Sequence, residues 1–87
     1  MKLASEFLAH ESMGEHFIIP TGSAKFKGLV KNNETAAFIV DCLKTETTEK
    51  EIVDKLLERY SGVDRATVEK DVAELVSKFR GIGAIEG

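Results

Sequence analysis

The chain has 87 residues, a formal net charge of -3 and a pI near 5.4, which suits one domain burying roughly 60–70% of its unfolded surface and argues against a nucleic-acid surface. Its one cysteine, Cys42, excludes an internal disulfide and fits a reducing, cytoplasmic setting. Glu6 breaks the apolar start Met1-Lys2-Leu3-Ala4-Ser5 too early for a signal peptide, and no segment approaches the ~20 apolar residues of a membrane span.

Taken in order, residues 6–11 and 15–20 flank Ser12-Met13-Gly14, where Gly14 can supply the positive φ of a short loop, and a β-hairpin is expected. Pro20 lacks a ladder donor and precedes Thr21-Gly22-Ser23, so the second strand should stop there and turn back. The next extended segment is expected around Gly28, Leu29, Val30 and Lys31, completing an antiparallel meander with this short strand at one edge. At the joint that follows, Asn33 can cap a helix, Glu34 suits the positive end of its dipole, and residues 36–43 are apolar nearly all round, so this helix should be covered on several sides. Cys42 falls on it and reads as a small buried hydrophobe, not a reactive thiol.

A short polar connection, residues 44–47, leads to Thr48-Glu49-Lys50-Glu51, a capping-box pattern. Ile52, Val53, Leu56, Leu57 and Tyr60 then form one stripe at helical spacing until Gly62. Asp64 is expected to cap a third helix, with Val63 and Val68 as a hydrophobic staple, a stripe of Val68, Val72, Leu75, Val76 and Phe79, and Gly81 or Gly83 closing it. Residues 82–85 should return to the core as a short extended piece. The fold class expected is α+β: an N-terminal three-stranded antiparallel sheet followed by three helices, in a single domain over residues 1–87.

Chemistry is sparse. Mixed charges such as Asp54, Lys55, Glu58 and Arg59 describe a solvated helix face, not an acid–base pair. His10 and His16 could face each other across the hairpin, but without a third ligand they make a poor metal site. No glycine loop cradles a phosphate, and Ser5, Ser12, Ser23, Ser61 and Ser77 sit in no nucleophile motif. An enzyme acting alone is not expected, nor is a cofactor. Binding remains.

The joint Gly28-Leu29-Val30-Lys31-Asn32-Asn33-Glu34-Thr35-Ala36-Ala37-Phe38-Ile39, together with Glu51-Ile52-Val53, Asp71-Val72 and Gly83-Ala84-Ile85, resembles the PqqD-like family over almost the whole chain. Members are small winged helix-turn-helix domains, also called RiPP recognition elements, that bind leader segments of ribosomally made precursor peptides. They present them to modifying enzymes, often radical SAM proteins. The resemblance implies a leader peptide added as a strand beside Lys27, Gly28, Leu29, Val30 and Lys31, its side chains lying in a cleft against the third helix. On that helix Thr67, Asp71, Glu74 and Lys78 share one polar flank beside Leu75 by their spacing, and this flank is assigned to the peptide. Asn32, Ala36 and Val40 depart from the family's usual leucine, glycine and tryptophan, so pocket shape and leader preference do not carry over.

Two other readings share the helical core. A DNA-binding winged helix needs a basic recognition helix, whereas residues 64–74 carry Asp64, Glu69, Asp71 and Glu74 against Arg65 and Lys70. A docking subunit that holds an enzyme and binds no free peptide is the other. The edge also has a bland reading, in which Lys27 and Lys31 serve only to deter aggregation.

Overall fold

The computed structural model describes residues 1–22, 24, 28 and 30–87. The elements run β1 (Lys2–Leu3), β2 (Phe7–Ser12), β3 (Glu15–Pro20), β4 (Val30–Asn32), α1 (Glu34–Cys42), α2 (Glu49–Arg59), α3 (Arg65–Gly81) and β5 (Ile85–Glu86). β2, β3 and β4 form the expected antiparallel meander, in that order, with β4 at an edge. Met13 and Gly14 connect β2 to β3 with φ of 52° and 80°. Positive φ at both positions of a two-residue loop is the type I′ turn, whose twist matches that of the strands. His10 stands opposite Phe17 and Glu11 opposite His16. The two histidines therefore point to opposite faces and do not meet, because side chains alternate along a strand. His16 Nε2 instead lies 3.6 Å from Glu11 Oε2.

The helices start where their caps predict. Asn33 Oδ1 accepts from the Ala36 N–H at 2.8 Å, Thr48 Oγ1 from Glu51 at 3.2 Å and Asp64 Oδ2 from Thr67 at 3.2 Å. The capping box of α2 closes on one side only. Glu51 Oε2 accepts from the Thr47 hydroxyl at 3.1 Å instead of reaching back to Thr48. At the end of α3 the Ala84 N–H donates to Phe79 and the Gly83 N–H to Arg80, with Gly83 at φ +81°. This is a Schellman motif, and Gly83 is the residue that closes the helix.

Phe79, Ile18, Ile39, Leu43, Ile52 and Val72 are the largest fully buried side chains, and with Phe7 of β2 and Ile85 of β5 also buried the core draws on strands of both sheets and on all three helices. α2 packs on α3, and Arg65 bridges them by donating to Asp54 at 2.9 Å. Hydrogen bonds first from Arg65 and then from Lys50 hold the Asp54 carboxyl below its usual range. Cys42 is buried as expected, and that burial pushes its thiol pKa up. Three features differ from the sequence reading. β1 pairs with β5 in a separate two-stranded sheet. α1 is covered less than its composition suggests, with Ala36, Ala37 and Phe38 only half-buried. The edge strand, expected over Gly28 to Lys31, is described over Val30–Asn32: its register on β3 runs one residue further, to the Asn32–His16 pair, Gly28 is not in the strand, and Leu29 lies outside the described residues.

Candidate functional site

The backbone of the β4 edge can be worked out from the hairpin. In an antiparallel ladder, opposed residues alternate between pairs that exchange both hydrogen bonds and pairs that exchange none. The Thr21 N–H donates to the Glu6 carbonyl at 2.7 Å, one step beyond the Phe7–Pro20 pair. Phe7–Pro20 is thus a non-bonded pair, the place where a proline costs no ladder bond. Counting on, Ile18 and His16 are non-bonded towards β2 and turn their backbone groups to β4, where Val30 and Asn32 meet them. Phe17 bonds His10, which leaves the Lys31 N–H and C=O pointing out from the sheet. Its side chain lies on the face away from the core, with Nζ donating to Glu15 Oε1 at 3.2 Å.

Where β4 ends, a groove begins. Asn33 opens it, and α1 contributes Thr35, Ala36 and Ile39 opposite Asp71 and Leu75 of α3, around a depression of about 330 Å³. Thr35 and Asp71 also line an adjoining, mainly apolar depression of about 300 Å³ formed with Tyr60, Val63, Thr67 and Val68. Asp64, Thr67, Val68, Asp71 and Leu75 recur every three to four residues, so one face of α3 forms the far wall throughout. Val63, the expected staple partner of Val68, is 45% exposed. It forms a rim of the apolar depression with Val68 instead of sealing it. The Thr67 hydroxyl is engaged with Asp64 at 3.3 Å. Asp71 is the charged group shared by both depressions, and it has no hydrogen-bond or ion-pair partner among the described residues. The groove suits an apolar side chain at its far end and a cation or N–H donor near its middle.

Of the residues expected at the site, Lys31 stands on the outward edge, and Thr67, Asp71 and Leu75 share the groove wall. Val30 spends its backbone groups on Ile18, so it supports the edge and does not offer it. Gly28 lies outside the strand, and Lys27 and Leu29 lie outside the described residues. Glu74 is exposed and lines neither depression; Lys78 lies about 10 Å beyond Asp71 along the helix, past the groove. Sequence reasoning missed Thr35, Ala36, Tyr60 and Val63 as site residues. Among the described residues no histidine, cysteine and carboxylate group forms a metal cluster, and no helix is long and apolar enough to cross a membrane.

A profile described as coenzyme PQQ synthesis protein D (PqqD) matches residues 15–85, from the second hairpin strand to the last strand. The chain belongs to the PqqD family. Two solved structures share the family fold found here. TbiB1 in complex with the TbiA(beta) leader peptide superposes with a TM-score of 0.83 at 22% identity, covering 100% of this chain and 96% of that one. Lasso peptide synthetase B1 complexed with the leader peptide gives 0.79 at 23% identity, covering 99% and 96%. Comparison with curated proteins returned no match. The PqqD-family fold places the sheet edge and the α3 groove side by side around the start of α1.

Proposed function

We propose that this PqqD-family domain binds the leader segment of a ribosomally made precursor peptide and presents it to a separate modifying enzyme. The observation that carries the reading is the edge at Lys31, which ends at Asn33 where a groove along α3 begins and leads into a mainly apolar depression. An extended peptide adding to β4 would exchange backbone bonds with Lys31 and lay alternate side chains into the groove. Both structural neighbours are leader-peptide complexes, which supports the same class of ligand.

The domain gives no turnover by itself in this reading and works in the cytoplasm. A radical SAM protein is the modifying partner that the family suggests. A lasso-type synthetase is the second reading, favoured by the description of one neighbour as lasso peptide synthetase B1. Nucleic acid suits the groove poorly, since its own charged groups are Asp64 and Asp71. Calorimetry with the precursor, its leader and its core segment tests the proposal. Binding of precursor and leader, and faster modification by the partner when the domain is added, are expected. Failure of both peptides to bind at about millimolar Kd, worth only ~4 kcal/mol, would overturn it.

A further inference from the structure

The three-stranded sheet has a second edge, formed by β2, which pairs with β3 alone among the described residues. β4 at the other edge is three residues long and turns one residue outward; β2 is six residues long and exposed at every position after Phe7. Edge strands are ordinarily blunted by a proline, a lysine or a bulge. β2 has none of these, and its register on β3 runs unbroken from Phe7–Pro20 to Ser12–Glu15. The alternation that bonds Leu8, His10 and Ser12 to β3 leaves the backbone N–H and C=O groups of Ala9 and Glu11 pointing away from the sheet, without partners among the described residues. Phe7 is engaged, its N–H donating to the Ala4 carbonyl at 3.0 Å.

An antiparallel neighbour bonds outward residues only to outward residues, which leaves a second copy of β2 few registers. Reversed about His10, Ala9 meets Glu11 of the second copy and Glu11 meets its Ala9, so every outward group of the two residues is bonded. Reversed about Ala9, the pairing needs Phe7, whose N–H is spent; reversed about Glu11, it needs Met13, which is left-handed at φ 52° and cannot extend the strand. The side chains favour the same register. Ala9 and Glu11 lie on the core face of the sheet, where Phe7, Ala9 and Lys44 line a depression of about 330 Å³ beside the edge. Glu11 of the second copy, opposite Ala9, points into this space and meets the Lys44 ammonium, and two-fold symmetry makes the contact twice. The Glu11 and Lys44 side chains are 64% and 58% exposed, and Lys44 has donors to spare beyond its bond to Asp41. On the outer face Leu8, itself 57% exposed, gains Ser12 of the second copy opposite it. A foreign strand could meet the backbone groups, but the exchange of Glu11 for Lys44 needs this chain on both sides. We infer that β2 is a self-association edge, through which two copies join as one six-stranded sheet with Glu11 of each paired to Lys44 of the other. Both β4 edges stay open at its ends, five strand spacings or about 24 Å apart.

Sedimentation equilibrium from micromolar to millimolar protein should show the 9.6 kDa chain passing to twice that mass, and hydrogen exchange in the dimer should slow at Ala9 and Glu11 but not at Lys31. Glu11→Lys and Lys44→Glu should each raise the dimer Kd roughly 5- to 30-fold, since symmetry removes two exposed ion pairs and sets like charges together. The double exchange should return it close to wild type. Ala9→Pro removes an outward N–H that β3 does not use and should abolish the dimer. A chain that stays monomeric at millimolar concentration, which would leave the edge to a strand of another protein, would overturn the proposal. So would a dimer protected at Lys31 instead, or a double exchange no tighter than either single one. If Ala9→Pro fails to fold, the charge exchange still decides. No leader peptide enters the experiment, so its outcome is independent of the leader-binding proposal.

Discussion

Replacing Lys31 with proline removes one outward N–H from the β4 edge and no bond within the sheet. The ion pair lost with the side chain joins groups whose exposures are 63% and 52%, so it contributes under ~1 kcal/mol. Val30→Pro, one residue earlier, takes the N–H that the alternation assigns to the carbonyl of Ile18, a fully buried residue. Leaving a buried acceptor unmet costs about 1–3 kcal/mol, which lowers a urea midpoint by about 1 M or more in a small domain. Binding should respond in the opposite order. A leader carbonyl left unpaired at Lys31→Pro costs the complex a similar ~1–3 kcal/mol, roughly 5- to 150-fold in Kd. Lys31→Ala keeps the N–H and should bind nearly as wild type. Urea denaturation and calorimetry with the leader on all three variants read both effects. If Lys31→Pro stays folded and binds the leader normally, or if Lys31→Ala is equally defective, strand addition at this edge is refuted.

Charge reversal at Asp71, which has no partner among the described residues and serves both depressions, should weaken leader binding, whereas Glu74→Lys should change it less; both should leave stability within ~0.5 kcal/mol by thermal melt. Asn33→Ala removes the acceptor for the Ala36 N–H and should cost about 1 kcal/mol in denaturant titration, with Asn33→Gly costing only a few tenths. Burial raises the Cys42 pKa in the folded state, so its contribution is whole below the ordinary thiol pKa of ~8.5 and fades as pH rises through the folded value. Stability should therefore fall more steeply above that pH in the wild type than in Cys42→Ala, and alkylation of native protein should be slow; equal slopes and rapid labelling would contradict the buried thiol.

What could be read from the sequence was local. Asn33, Thr48 and Asp64 announce their helices because a cap acts within three residues, and the stripe from Val68 to Phe79 follows from helical period alone. The hairpin follows from Gly14, although the left-handed Met13 before it carries no such mark. The pairing of β1 with β5 joins segments from opposite ends of the chain, and two-residue strands leave no period to detect. The far half of the groove was hidden for another reason. Tyr60 and Val63 look like ordinary core or staple residues until α1 is placed across from them. The orientation of the edge was partly accessible, since Pro20 must occupy a non-bonded position and fixes the alternation of β3. Carrying it to Lys31 required the register of β4, where Asn32 is buried instead of marking the strand's solvated end.

The few backbone groups that the described part of β4 turns outward bear on how such a domain would tell one peptide from another. Backbone pairing is blind to sequence, and a long edge would hold any extended chain by its amides. Here the described strand is three residues long and turns a single residue, Lys31, outward. Two backbone bonds at ~1 kcal/mol each fall short of even millimolar affinity. In the proposed mode side chains entering the groove between α1 and α3 add to these bonds, so discrimination is built into affinity. A chain lacking the right side chains at the right spacing would dissociate before an enzyme could act on it.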